Sequence, residues 1–507
     1  MDTCQVAGLR HLPDCYEWTF VEVDGLDQRV HKTMRTHTAT SRSDISYCGS
    51  DGSRLRLGVE AVMSNDANSF ALAMVTRERQ KSLMLRAWIM SGIFFMALPG
   101  TLLGFSNLMA IATHHGLGTV PAAWIQGHGH AQAFGWIGSF ILGIGFYSQP
   151  VRGRSALRLP LTCCLLWTAG VAMRWVANIY GWHWRALFPM SAGFELVAVL
   201  LFLLAASRHK LPEGTPGERG RPSMELWMVS VLLGTVGLAA AILFNFVECV
   251  YLAAHGGPRA FPYLLDQKYL VLLTWGFMVP VVWGFSARWL HSFLAIAKPD
   301  ARLFRLALCL DAAGVFGGAT GRVIFSTILL ASSAVAIGFA LHLTQRPYGQ
   351  AKVLGIHPSF PTFVRIAYAW LVIAGSMSVW AALADQRGGI WGASRHALTV
   401  GFAATMVFAI GPRILPHFAG IYSIYSKRLM FLCLLLLQTG CLLRVASEPL
   451  AYEGFLNFAW KVLPVSGMLE LSGVLLFALN LVLTFAFGRS SFAAGNVIHE
   501  RAVAEGA

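Results

Sequence analysis

Six ionisable side chains interrupt strongly apolar stretches of this chain, and they fall into two matched sets. His130, Arg174 and Glu195 make one, and His396, Arg444 and Glu470 make the other. Neutral imidazoles supply nitrogen ligands to haem iron or to copper, and a guanidinium takes a carboxylate in two-pronged fashion. A buried carboxylate needs a cation or a donor beside it. His128 stands two residues before His130 in His128-Gly-His130-Ala-Gln-Ala-Phe-Gly-Trp136. Two residues are about 200° around a helix, so both imidazoles cannot face one metal from a regular helix, and His130 is the expected ligand.

The matching of the sets is positional. At one offset of 266 residues His130 falls on His396, Gly135 on Gly401, Ile144 on Ile410, Gly145 on Gly411 and Pro150 on Pro416. At 270, Cys163, Gly170 and Arg174 fall on Cys433, Gly440 and Arg444. At 275, Pro189, Ser191 and Glu195 fall on Pro464, Ser466 and Glu470. A repeat of this length is the mark of a duplicated structural unit.

The elements that carry these groups follow from composition. Over 507 residues the chain is 56% hydrophobic and only 13% charged, with a mean hydropathy of +0.57. Ordinary soluble domains carry about 25% charge, so the expected class is an all-α polytopic membrane protein. Strand-length alternation suited to a β-barrel is absent. Twelve apolar segments are predicted, at about 85–112, 127–149, 157–178, 187–207, 225–253, 268–294, 303–318, 321–343, 362–384, 394–416, 428–446 and 462–487. They group into four-helix modules at 85–207, 225–343 and 362–487. The outer two are the duplicated pair, and the middle one reads as a degenerate third copy with Val271 in place of the histidine and no glutamate in its last helix.

The charge of +14 is spread through short loops between apolar runs, which argues against a nucleic-acid partner. Arg152, Arg154, Arg208, Lys210, Lys298, Arg346 and Lys427 follow even-numbered helices, while the stretch from His114 to Gly127 has no Lys or Arg. By the positive-inside rule both termini are cytoplasmic, and the two ionisable sets lie in the outer half of a lipid bilayer. Residues 1–80 are a polar extension, either disordered or the product of a mis-assigned start, with Met63 as the alternative first residue; 81–490 is the membrane domain and 491–507 a cytoplasmic tail.

Each group also has a plainer reading. Arg174 with Glu195, and Arg444 with Glu470, could be ion pairs that lock helices together. Gly135 and Gly401 suit close helix packing as well as the approach of a flat macrocycle. Asp311, Asn245 and Glu248 could form a proton path or serve as hydrogen-bond partners. His417 falls at the opposite end of its helix, and His183 sits among interfacial tryptophans. Cys163 and Cys433 are soft enough for Cu(I), though buried thiols commonly just pack. A haem site and the binding site of a transporter both remain open on these residues alone.

His130-Ala-x-x-x-Gly-Trp with its Ile-Leu-Gly-Ile-Gly continuation, and Arg395-His396-Ala-Leu-Thr-Val-Gly-Phe-x-x-x-Met406-Val-Phe-x-Ile-Gly-x-Arg413-Ile-Leu-Pro416, resemble the NnrS family of haem- and copper-containing membrane proteins. The likeness spans about 85–487. It implies a bacterial inner-membrane protein in the response to nitric oxide and nitrosative stress, in organisms that carry out denitrification. The twelve-helix pattern also resembles the catalytic subunit of haem-copper oxidases and nitric oxide reductases. That likeness implies haem ligation by His130 and His396, with Arg174 or Arg444 at the propionates. Histidines of an oxidase metal centre are missing from the interior of the sixth and seventh segments, and His291, at the cytoplasmic end of the sixth, is too far from the outer site to substitute, so oxygen reduction is not expected, and no copper ligands are apparent.

Overall fold

A computed structural model describes residues 76–149, 157–207, 224–353 and 355–488. Its helices, in chain order, are α1 (Thr76–His114), α2 (122–147), α3 (Arg158–Tyr180), α4 (Trp184–Ser207), α5 (Leu226–His255) and α6 (Tyr263–Leu294). They continue with α7 (Ala301–Ala319), α8 (Val323–Ala340), α9 (Phe360–Ala384), α10 (Gly389–Phe418), α11 (Lys427–Tyr452) and α12 (Ala459–Phe487). There is no β-strand among the described residues. Residues 1–75, with Met63 and nearly all of the expected extension, and the tail 491–507 lie outside them. Helix is already present from Thr76, inside the stretch 1–80 expected to be extension.

Ten of these helices are long and apolar enough to cross a membrane, and the protein is an all-α, multi-pass membrane protein. The two outside that class are α2, diluted by Gln126, His128, His130 and Gln132, and α7, which carries Arg302, Arg305 and Asp311 within its 19 residues. The uncertain border between the seventh and eighth segments resolves where glycine permits it. α7 ends at Ala319, Gly321 takes φ +84°, and α8 starts at Val323. Asp300 starts α7 by accepting from the backbone N–H groups of Arg302 (2.8 Å) and Leu303 (2.9 Å), which holds its carboxyl below the usual range.

Neighbouring helices pack in sequence, and α12 packs back against α1, so the described helices close into a ring. α6 and α10 are the most buried, and the central stretch of α2 is buried with them. Trp136 of α2 meets Phe408 of α10 edge to face with ring centres 6.0 Å apart. The inner position explains the sequence of α2: a helix screened from lipid by protein tolerates polar residues that a lipid-facing one does not.

α2, α6 and α10 share a feature with no obvious sequence signature. Each turns π-helical at the same point, over Ala131–Gly138, Leu272–Met278 and Ala397–Ala404. These segments begin immediately after His130, Val271 and His396, the three positions the repeat equates. The wider turn frees backbone carbonyls and re-aims the side chains before it. Trp167 donates its indole N–H to one such carbonyl, that of Phe134, at 3.0 Å.

The same close packing also recurs. A Cβ on Gly170 would stand 2.9 Å from Glu195 Cγ, and one on Gly440 would stand 2.7 Å from Glu470 Cγ; in both cases it would be 2.9 Å from the carbonyl of the serine four residues earlier. Phe95 fills the space over Gly135 and Trp370 the space over Gly401, each 2.6 Å from the would-be Cβ. These glycines therefore bring helices together, with Phe95 and Trp370 packed over Gly135 and Gly401.

Candidate functional site

The two matched sets fold into different structures. In the first, every member is engaged. His130 donates from Nε2 to Glu195 Oε1 at 2.7 Å, and Asn245 of α5 donates to the other oxygen, Oε2, at 3.1 Å. Arg174 donates to Asn245 Oδ1 (3.5 Å) and to Cys249 Sγ, with its guanidinium 4.2 Å from the ring centre of Phe188 and 4.8 Å from that of Phe261. His130 is 5% exposed, Arg174 2% and Glu195 0%. Dry, and with only Arg174 Nε left without a hydrogen-bond partner, the network joins α2, α3, α4 and α5.

The second set is open. His396 donates from Nδ1 to the carbonyl of Gly392, one turn earlier, at 3.0 Å. A carbonyl can only accept, so the proton is on Nδ1 and the Nε2 lone pair is free. The Glu448 carboxylate of α11 stands 3.6 Å from the same Nδ1, too far for a hydrogen bond but close in charge. Arg444 donates from Nη2 to Glu448 Oε1 at 3.2 Å, and its Nε lies 3.0 Å from Oε2 without the alignment of a hydrogen bond. Arg444 Nε and Nη1, Glu448 Oε2 and Glu470 Oε1 have no hydrogen-bond partner. Unlike His130, the His396 side chain keeps 27% of its surface open.

His128 belongs with this second set. Its Nδ1 donates to the carbonyl of Gly100 in α1 at 2.9 Å, and its ring lies against Gly104, where a Cβ would come within 2.5 Å of Cε1. As with His396, the Nε2 lone pair is left free. The two imidazoles lie within electrostatic reach of one another, and Arg444 acts on both. The expected pairing of His130 with His396 is thus not the one the structure brings together. His128 and His396 lie within electrostatic reach of one another and of Arg444, which pairs with Glu448, while His130 and Arg174 are closed into a network with Glu195.

Leu108, Ile111, Val120, Ala451, Tyr452, Trp460 and Leu463 form a small apolar cluster separate from the main core, at the end of the bundle where α2, α6 and α10 begin. Asn107 of α1 lies just below it, with neither side-chain atom hydrogen-bonded; its neighbour Leu108 packs on Gly467, three residues before Glu470.

The remaining candidates are dispersed. Asp311 is 1% exposed, with no hydrogen bond to either oxygen. Asn245 joins the closed network, and Glu248 Oε2 is buried without a partner. His183 stacks edge-on against Trp182 in the α3–α4 turn, and His417 lies at the far end of α10. Cys163 and Cys433 are buried thiols, and Cys433 donates to the carbonyl of Met430 at 3.1 Å. No group of three or more His, Cys, Asp or Glu suited to a metal ion occurs among the described residues, a threshold that a pair of axial ligands does not reach.

Residues 355–486 match the family model of a domain of unknown function, DUF8744. The matched stretch takes in α9 to α12 and carries His396, Arg444, Glu448 and Glu470. No curated protein matches the chain.

Proposed function

We propose that this is a membrane haem protein in which His128 and His396 hold the iron and Arg444 meets the propionates, acting in the response to nitric oxide and nitrosative stress. One observation carries the reading. Two imidazoles from different helices are each fixed through Nδ1–H to a backbone carbonyl, with Nε2 free, beside a guanidinium that has two unbonded nitrogens. Anchoring through Nδ1 is how ligating histidines are held in the required tautomer. An unpaired Arg444 nitrogen in a water-poor site is costly, and a carboxylate-bearing ligand would satisfy it. The residues therefore fit the group, which when bound would supply a one-electron iron centre able to take nitric oxide or pass an electron.

The remainder of the reading rests on repetition and charge. The three π turns that follow His130, Val271 and His396, and the paired Gly–Glu contacts, support three four-helix modules and twelve crossings, α2 and α7 included. The charge pattern supports a bacterial inner-membrane location, cytoplasmic termini and a cleft near the outer face. The likeness to NnrS proteins supports the nitric oxide role, and with it a copper ion whose ligands we do not assign. The transporter reading draws on the unpaired carboxyls Glu448 Oε2 and Glu470 Oε1, which could carry protons or a cationic solute. Absorption spectroscopy separates the two: a Soret band lost in His128→Ala and His396→Ala and kept in His130→Ala supports haem, and a colourless wild type favours transport.

A further inference from the structure

The repeat gives an internal comparison for the open histidine. His130 and His396 are equivalent, as are Arg174 and Arg444, and Glu195 and Glu470. Yet His130 is closed on Glu195, whereas His396 bonds to the Gly392 carbonyl and Glu470 Oε1 has no partner. Among the polar residues that differ between the two sets, one lies a turn beyond the arginine on the same helix. At the offset that equates Arg174 with Arg444, Glu448 falls on Asn178.

Asn178 is a packing amide. It donates to the carbonyls of Ala123 at 2.8 Å and Arg259 at 3.3 Å, and it touches neither His130 nor Arg174 by hydrogen bond. Glu448 instead reaches into the site. Gly392 makes that possible, because any Cβ there would collide with the carboxylate, and Gly389 lets α10 approach Tyr452 and the Glu448 carbonyl. From this position Glu448 attracts the Nδ1–H edge of His396 and draws Arg444 to itself. Arg174, with Asn178 in place of a carboxylate one turn on, turns to Asn245 and Cys249 of α5.

We infer that Glu448 is a positioning residue: it holds His396 by its Nδ1 edge, off Glu470, and so keeps Nε2 directed into the cleft. The inference rests on the haem reading only for what occupies the cleft; the orientation of His396 is tested separately. With an amide at 448, as in the first set, His396 is expected to close on Glu470 as His130 closes on Glu195.

The test uses the full chain, purified in detergent. Histidine ¹⁵N NMR, with His396 assigned from its alanine variant, should show the Nδ1–H tautomer in the wild type and the Nε2–H tautomer in Glu448→Asn. The double variant Glu448→Asn/Glu470→Met, which removes the competing acceptor at similar volume, should return it to Nδ1–H. Haem binding should weaken about tenfold in Glu448→Asn and recover in the double variant. Size-exclusion behaviour and melting temperature exclude misfolding, and Glu448→Gln is the second variant should the Asn form fail to fold. An unchanged His396 tautomer in the folded single variant, or no recovery in the double variant, overturns the inference. A wild type without a Soret band refutes the haem reading, and the NMR arm still decides the role of Glu448.

Discussion

His130 and His396 show what a repeat can and cannot reveal about a site. Their equivalence is visible at one offset in the sequence and is matched by the π turn that follows each. Equivalent positions in repeated sets, however, face equivalent clefts and not the same cleft. The imidazole within electrostatic reach of His396 is His128, about 200° around α2 from His130, as the helical period requires. Sequence reasoning put both histidines on one helix end but weighted the duplicated one. Glu448 was missed for the complementary reason: its counterpart is Asn178, so a search for matched charges passes over it. The signal that could have found it is local, the i, i+4 spacing from Arg444 in α11. The closed set carries a prediction at this scale. Glu195→Leu strips His130 and Asn245 of their shared acceptor, and breaking a buried pair on one side costs about 3–5 kcal/mol. Thermal unfolding in detergent should show a clear drop in midpoint, and an unchanged midpoint would mean that the network is not a structural lock.

At the scale of elements, the helices were legible and their interior geometry was not. Apolar runs of membrane length located all twelve, and ends shifted by up to nine residues because polar first and last turns, such as Thr76 to Gln80, remain helical without being apolar. The π segments escaped because no shared residue type demands them: three follow His130, Val271 and His396 in the inner helices, and a fourth, Met96–Leu102 in α1, contains Pro99. Gly237 in α5 is the tightest approach of a glycine to backbone, since its Cβ would meet the carbonyl of Gly276 in the π segment of α6. Backbone cannot yield as a side chain can, so Gly237→Ala should force the two helices apart at a cost of about 1–3 kcal/mol. Gly129→Ala in α2, where a Cβ meets nothing within 4 Å, is the control and should leave the melting temperature unchanged. Equal effects of the two substitutions would contradict this account of the packing.

For the whole molecule, composition alone excluded a soluble protein and the loop charges proposed an orientation. Ten helices meet the requirements for crossing on length and apolarity, and α2 and α7 are the two whose polar residues keep them from it. Twelve crossings place the loops after α2 and α10 on the side of both termini; if either of those helices did not cross, every later loop would change sides. Cysteine-accessibility labelling of single cysteines at Ser148 and Tyr422 should place both on the cytoplasmic side, and labelling from opposite sides would break the three-module reading. The match of residues 355–486 to one family model coincides with α9–α12, which carry His396, Arg444, Glu448 and Glu470, and fits a four-helix unit as the repeating piece. The central claim, that the cleft between His128 and His396 holds haem, is tested most directly by the absorption spectrum of the purified protein beside its His128→Ala, His396→Ala and His130→Ala variants. The account predicts a Soret band in the wild type that is lost or strongly reduced in the first two and kept by whatever His130→Ala protein remains folded. A band that survives both His128→Ala and His396→Ala, or no band in the wild type, would contradict it.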